Sequence, residues 1–405
     1  MYALRPNYPV LPPSPLTLRP TPERMNAHSD YRGRGVVIAY LDSGFYEHPD
    51  IVGRIASHVD CTTDTFTESM MTAPAIESFV WHGMMSSVIG SGNGSMSNGL
   101  YRGIASESQL FLVKVSSIHN QLKEHDILCG FQWVLANHRR CNIRIVNASI
   151  GGDFVNQSAN HALHVIIREL VEQGVIVVVA AGNHGASHVF PPASAPEAIT
   201  VGGINDQNSL RPADWQLYHS NHGFAHDGTH KPDLVAPAQW VASPILPNSI
   251  VAKEARWLSP LMQLHNDQTR TQILQTWQKD MNLTADQVNQ HDPHLYAQLE
   301  KRVHDFKLIH PHYQHVEGTS AAAPIVSSVI AQMLEIQPTL APAQVMEILK
   351  KASRPLSNGP LHKQGAGALD AGQAISLTLA ASRKTIRRVT QRQTQGDSKN
   401  APRIS

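Results

Sequence analysis

The feature that most constrains this chain is a series of short, continuous apolar runs separated by longer amphipathic stretches. The runs are Val36–Leu41, Leu110–Val115, Ile143–Ala148, Val175–Ala181, Ile199–Val201 and Leu234–Ala236. Such runs, apolar rather than alternating, predict strands buried on both faces. Between them, Ile127, Phe131, Val134 and Leu135 mark a helix opening at Asp126, and Leu163, Val165, Ile166, Ile167 and Leu170 mark another over His161–Glu172. Strands alternating with helices predict an α/β domain: a doubly wound, mainly parallel sheet with helices on both faces.

A further helix, Thr319–Ile336, is apolar nearly all round and must lie inside the domain. Residues 245–312 differ in character, being rich in Gln, His and Asp. Thr284 with Gln287 fits a capping box, and Asp292-Pro293 fits an N-cap with proline at the first helical position. Two or three amphipathic helices inserted in the main domain are expected there. Residues 1–30 read as an extended, proline-punctuated arm, 31–380 as the main domain, and 381–405 as a disordered basic tail.

Composition excludes several classes. The net charge is +1, which gives no electrostatic ground for a nucleic-acid or membrane partner. Arg387, Arg388 and Arg392 read as part of a solvated tail. Three scattered cysteines, Cys61, Cys129 and Cys141, do not make a disulfide framework. The start of the chain lacks the basic, apolar and small-residue segments of a secretory signal, and no apolar run approaches the ~20 residues that span a bilayer. A cytoplasmic location is the expectation. Composition is silent on oligomeric state.

Three local patterns carry chemistry. Ile38-Ala-Tyr-Leu-Asp42-Ser-Gly44 ends a buried strand in a carboxylate and a glycine turn, and strand ends are where α/β sheets place their sites. Trp81-His82-Gly83 puts a base candidate at a helix start. Gly318-Thr319-Ser320-Ala-Ala-Ala-Pro324 puts a serine at the N-terminus of the buried helix, where free amides and the positive dipole end can hold an oxyanion. Taken singly, each pattern also suits a turn, a cap or a first-turn proline.

Their order, Asp then His then Ser, resembles that of the subtilisin-like serine proteases. The resemblance extends to His48-Pro-Asp50, Tyr101-Arg-Gly103-Ile-Ala105, Asn147-Ala-Ser149-Ile-Gly151-Gly152, Ala180-Ala-Gly182-Asn183, His219-Ser-Asn-His-Gly223, Lys231-Pro-Asp-Leu-Val-Ala-Pro237 and Gly365-Ala-Gly367-Ala-Leu-Asp370-Ala. It implies a serine endopeptidase acting on polypeptides, with Ser320 as nucleophile, His82 as general base and acid, and Asp42 orienting the imidazole. It implies that Asn183 stands in the oxyanion hole. Ser149, Ile150, Gly151 and Gly152 would pair with extended substrate, and Ala180, Ala181 and Gly182 would leave room for its side chain. The chemistry it implies needs no cofactor. Asp50 aligns with a calcium ligand of the family, and the loop Gly92–Gly99, with Asn93, Ser95, Ser97 and Asn98, offers further oxygens for a structural calcium ion; a polar loop without metal is the other reading.

Some positions depart from the family pattern. Met84 and Met85 stand where relatives carry Thr and His, the stretch after Asn183 is short, and the insertion before Gly318 is long. The insertion is expected at the rim of the cleft, and Tyr8-Pro-Val-Leu-Pro-Pro13 is a candidate for lying across Ser149–Gly152 as an inhibitory strand. A catalytically silent peptide-binding relative is the alternative function; loss of a triad residue or of the asparagine would mark it, and all four are present. The carboxyl-serine peptidases use Glu in place of the histidine and Asp in place of the asparagine, so His82 and Asn183 argue against them.

Overall fold

The computed structural model describes residues 4–10, 17–62, 66–69, 80–116, 121–152, 154–263, 267–289 and 293–383. Its strands in chain order are β1 (Val37–Asp42), β2 (Ile55–Asp60), β3 (Thr67–Ser69), β4 (Gln109–Lys114), β5 (Ile143–Ala148), β6 (Ile176–Ala180), β7 (Ile199–Asn205), the short β8 (Gln216–Leu217), β9 (Gly223–Phe224) and β10 (His230–Lys231), then β11 (Leu234–Pro237), β12 (Val241–Pro244), β13 (Leu308–His310), β14 (Tyr313–Val316), β15 (Ser353–Arg354) and β16 (Ala368–Leu369). The helices are α1 (Thr21–Arg24), α2 (Val80–Ser91), α3 (Glu124–Asn137), α4 (Ala162–Glu172), α5 (Ile250–Gln263), α6 (Asp267–Trp277), α7 (Ala285–Asn289), α8 (Pro293–Asp305), α9 (Thr319–Ile336) and α10 (Pro342–Ala352).

The main sheet runs β15-β16-β11-β7-β6-β5-β1-β4-β2-β3, with β8 beside β7. Every pair from β11 to β2 is parallel. All of β1 is buried, and its side chains divide with period two. Ile38 and Tyr40 enter the core shared with α2 and α9, while Val37, Ala39 and Leu41 enter the core shared with α3 and α4. Helices on both faces explain why this strand reads as a continuous apolar run. β2 escapes that signal because it is only half buried. The buried ion pair Lys231–Asp233, at 2.8 Å, fixes the entry to β11; Asp233 also accepts the Thr200 N–H at 3.0 Å.

Among its described residues the insertion holds four helices, α5 to α8, around a core of its own that includes Leu258, Leu274, Leu295, Leu299 and Val303. The Thr284–Gln287 capping box forms, with Thr284 N–H donating to Gln287 Oε1 at 2.8 Å and Gln287 N–H to Thr284 Oγ1 at 3.2 Å. Asp292 lies outside the described residues. The neck is an antiparallel sheet, β12–β14–β13, in which Val241 faces Val316 and Pro244 faces Tyr313. A helical reading of the whole segment had no means to separate these two returning strands from it.

The arm does not lie across the substrate strand in the part described. Leu4 enters the core of the insertion. Asn7 donates to the carbonyl of His304 at 3.1 Å, and His315 Nε2 meets Asn7 Oδ1 at 2.6 Å. Tyr8 and Leu18 pack with Tyr101, Ala242, Ile309 and Tyr313, so apolar burial holds the arm against the insertion and its neck. The rest of the Tyr8–Pro13 stretch, from residue 11 onward, and the tail from 384 onward lie outside the described residues.

Candidate active site

β1 lies between β5 and β4, where the strand order turns, and Asp42 closes its carboxyl end. The residues after β5 and β6 emerge at the same edge, so the topology itself opens a crevice there. Gly83 lets α2 approach the turn after β1: a Cβ at this position would stand 2.0 Å from the Gly44 carbonyl oxygen. That approach brings His82 Nδ1 to 2.6 Å from Asp42 Oδ1. Since the carboxylate can only accept, Nδ1 carries the proton and Nε2 is left as the basic nitrogen.

Asp42 is fully buried. Its Oδ1 also accepts the Ser43 N–H at 2.7 Å, and its Oδ2 accepts the Ser86 hydroxyl at 2.8 Å. His82 keeps 34% of its side chain exposed toward the cleft. Burial favours the neutral ring, but the charge and hydrogen bond of Asp42 outweigh it, and the pKa of His82 rises above its ordinary value.

Ser320 is the second residue of α9, so its N–H has no intrahelical acceptor. The helix begins from Gly318 at φ 132°, a conformation that favours glycine. A Cβ on Gly318 would lie 3.2 Å from Ser320 Oγ and 3.4 Å from Asn183 Nδ2. The hydroxyl and the amide therefore face one common volume. Thr319 sets the amide orientation. Its backbone N–H and its hydroxyl both reach Asn183 Oδ1, at 2.8 and 2.9 Å, and the Gly182 N–H donates to Thr319 Oγ1 at 3.1 Å. A backbone N–H can only donate, so the atom facing it is the oxygen, and Nδ2 points the other way.

Pro324 falls in the second turn of α9, not the first. It lacks the N–H that would bond the Ser320 carbonyl four residues back. The Ser149 hydroxyl donates to that carbonyl at 3.0 Å, and Asn147 Nδ2 holds Ser149 Oγ at 3.0 Å. Asn147 Oδ1 in turn accepts the Ser327 hydroxyl at 3.0 Å, which ties β5 to α9.

These residues line a cleft of about 500 Å³. One wall is Ser149, Ile150, Gly151 and Gly152, the other is Ala180, Ala181, Gly182 and Asn183, and His82, Thr319 and Ser320 close one end. His184, Ala186, His188, Phe190, Ala193 and Asn221 complete the lining. No Asp, Glu, Lys or Arg is among these lining residues. No hydrogen bond joins Ser320 Oγ to His82 in this arrangement. Asp42 stands behind His82, out of the cleft.

A model of the subtilase family matches residues 33–367. The chain belongs to the subtilase family. It is 27% identical over 352 residues to the serine protease AprX of Bacillus subtilis, covering 85% of this chain and 66% of AprX. It is 30% identical over 185 residues to subtilisin from Bacillus pumilus, covering 44% of this chain and 60% of that protein. The subtilase thus spans about two thirds or less of the length of these curated relatives. Among solved structures, fervidolysin from Fervidobacterium pennivorans, a keratinolytic enzyme related to subtilisin, superposes with a TM-score of 0.60 at 17% identity, covering 92% of this chain and 50% of that one. At that identity the likeness speaks for the fold.

Asp50, the candidate cation ligand, sits in a web of hydrogen bonds. It is fully buried and accepts the Ser95 hydroxyl at 2.9 Å, the Met96 N–H at 3.1 Å and the hydroxyl of Tyr313. Hydrogen-bond donors, not further carboxylates, converge on it. Among the described residues no group of three or more His, Cys, Asp or Glu is arranged to hold a metal ion. Among the described residues, the insertion of this subtilase supplies none that line the cleft.

Sequence reasoning passed over Thr319, Ser86 and Asn221. Thr319 lay inside a recognised motif but reads equally as a cap. Ser86 had a usable signal in its spacing of four from His82. Asn221 lay inside the quoted motif His219–Gly223, but the motif does not say that its Oδ1 accepts the N–H groups of His184 and Ala186, at 2.9 and 3.2 Å.

Proposed function

We propose that this subtilase is a serine endopeptidase in which Ser320, His82 and Asp42 form the catalytic triad and Asn183 stabilises the oxyanion. Ser320 Oγ attacks the scissile carbonyl while its proton passes to His82 Nε2. The imidazolium then protonates the leaving amine, and an acyl group remains on Ser320. Water, deprotonated by His82, hydrolyses the ester and restores the serine. Asp42 keeps the imidazole in one tautomer and stabilises its charged form. The tetrahedral oxygen is held by Asn183 Nδ2 and the Ser320 N–H. Every proton moves between protein, substrate and water, so the chemistry calls on no cofactor.

The observation that carries this reading is that Ser320 Oγ and Asn183 Nδ2 come together beside Gly318, and both residues line the one cleft that His82 also lines. Catalytic hydrogen bonds such as that between Ser320 and His82 often form only once substrate is bound. Ser149–Gly152 would pair with extended substrate as an added strand. The absence of charged residues other than histidine in the cleft lining supports a preference for uncharged side chains at the bond that is cut. A buried ammonium or guanidinium would find no carboxylate among the described residues that line the cleft.

The test is labelling with a fluorophosphonate probe, comparing the parent with Ser320→Ala. Labelling and peptide cleavage by the parent, both lost in the variant, are expected. Undiminished labelling of Ser320→Ala at another serine would overturn the assignment.

A further inference from the structure

We propose that Ser86 is a positioning residue of the catalytic apparatus: it holds the second oxygen of Asp42 while His82 takes the first. The inference rests on the catalytic reading of Asp42, His82 and Ser320 given above.

Residues four apart on a helix lie one above the other on the same face. On α2 this places His82 and Ser86 together against the end of β1. His82 Nδ1 meets Asp42 Oδ1 at 2.6 Å, and Ser86 Oγ meets Asp42 Oδ2 at 2.8 Å. Asp42 is fully buried, so its donors come from the protein. Oδ1 has three, His82 Nδ1, the Ser43 N–H and the Ser43 hydroxyl at 3.3 Å. Ser86 is the one donor to Oδ2 among the described residues.

A serine hydroxyl has one proton, and Ser86 Oγ also lies 3.1 Å from the Gly83 carbonyl. That carbonyl is already served by the Ser87 hydroxyl at 2.8 Å. The carboxylate bond is shorter and charge-assisted, so the Ser86 proton goes to Asp42. Ser86 then has two effects. It fixes the plane of the carboxylate, which keeps Oδ1 aimed at His82. It also draws off part of the negative charge that His82 senses. Without it the carboxylate aims Oδ1 less well, which slows proton transfer, while the charge no longer drawn off raises the imidazolium's stability.

The surroundings leave few other groups to produce such an effect. α2 packs on β1, β12 and α9. β12 has no titratable residue, and the one on α9, Glu335, sits at its far end. The loop after β1 carries Glu47, His48 and Asp50, and Asp50 lies at the opposite end of α2, where its backbone carbonyl accepts the Asn93 N–H. Across the cleft are His184 and His188.

The experiment compares Ser86→Ala, Ser86→Cys and Ser91→Ala in the full chain. Ser91 is a buried hydroxyl on the same helix, bonded to Tyr40 and Ser108 at 2.7 and 2.8 Å, and controls for loss of a buried bond. Two readouts are taken: kcat and KM across pH on a peptide substrate, and the His82 imidazole titration by NMR in a Ser320→Ala background. Ser86→Ala should lower kcat about tenfold with KM little changed. It should also move both the acid limb and the His82 titration to higher pH. Ser86→Cys, a weak donor of similar size, should fall between. Ser91→Ala should shift neither. A Ser86→Ala protein with parental kcat and parental His82 titration would overturn the proposal. A parent that fluorophosphonate does not label would sink the catalytic reading instead, while the titration would still report the Ser86 bond.

Discussion

The hydroxyl of Ser149 donates to the carbonyl oxygen of Ser320 at 3.0 Å, replacing the N–H that Pro324 cannot supply. The substrate strand and the nucleophile's helix are thereby joined by one bond between a side chain and the backbone of the proposed nucleophile. Ser149→Ala should leave that part-buried carbonyl without its donor and destabilise the fold by about 1 kcal/mol. Urea unfolding in a Ser320→Ala background, which removes self-digestion, measures the loss. Stability equal to the parent would show that the carbonyl finds another donor.

Thr319 aligns the amide of Asn183 through its hydroxyl as well as its N–H. Thr319→Val keeps the N–H and the size but breaks the link from Gly182 to Asn183 Oδ1. A fall in kcat of about tenfold is expected, with KM nearly constant because the amide acts on the transition state. Thr319→Ser should restore most of it. Removing the amide donor itself, with Asn183→Leu, should cost on the order of 10²–10³ in kcat, the loss known for subtilisin.

The pH profile follows from His82. Burial pulls its pKa down, yet Asp42 more than compensates and the value ends above the usual imidazole range. The working base is neutral, so kcat/KM should fall as pH drops through that raised value, with an acid limb above about 6.5. Protonation of His82 also favours the folded state. That contribution is complete below the unfolded pKa and is lost as pH rises through the folded one. Rates on a small peptide across pH check the limb. A limb well below that of free imidazole would contradict the Asp42 contact.

The arm should behave as a strap. Deleting residues 2–10 removes Leu4 from the insertion's core and the bonds from Asn7 to His304 and His315. The melting temperature should fall by a few degrees, since burying a leucine contributes roughly 1.5–3 kcal/mol. Turnover of a small peptide should not rise. A clear rise would revive inhibition by the arm.

Much of the site was legible because its residues sit in short local patterns. Asp42 ends a strand that announces itself by being apolar on both faces, and Ser320 opens a helix with no polar side. Ile143–Ala148 announced itself as a buried strand in the same way, though which strands would flank it was not announced. The strand Ile55–Asp60, one in from the edge of the sheet, gave no such signal, because half-burial permits Ser57, His58 and Asp60 in its sequence. The arm was harder still: proline spacing describes an extended backbone, but the partners of Asn7 and Tyr8 lie some three hundred residues away, at His304, Tyr313 and His315. Asp50 shows the same limit. Its motif fixes a carboxylate, and only the return of the chain at Tyr313 decides that a hydroxyl meets it.

Because α9 packs at once against α2, β5, β6, β7 and β11, the proposed nucleophile travels on the piece that completes one face of the interior. A nascent or partly opened chain cannot hold Ser320 in register with Asn183 and His82, since the face that seats the helix is not yet assembled. Proteolytic competence and the closing of that face then become a single event. On the proposed function, unfolding disarms the active site at the same moment that it makes the chain a substrate for its intact neighbours.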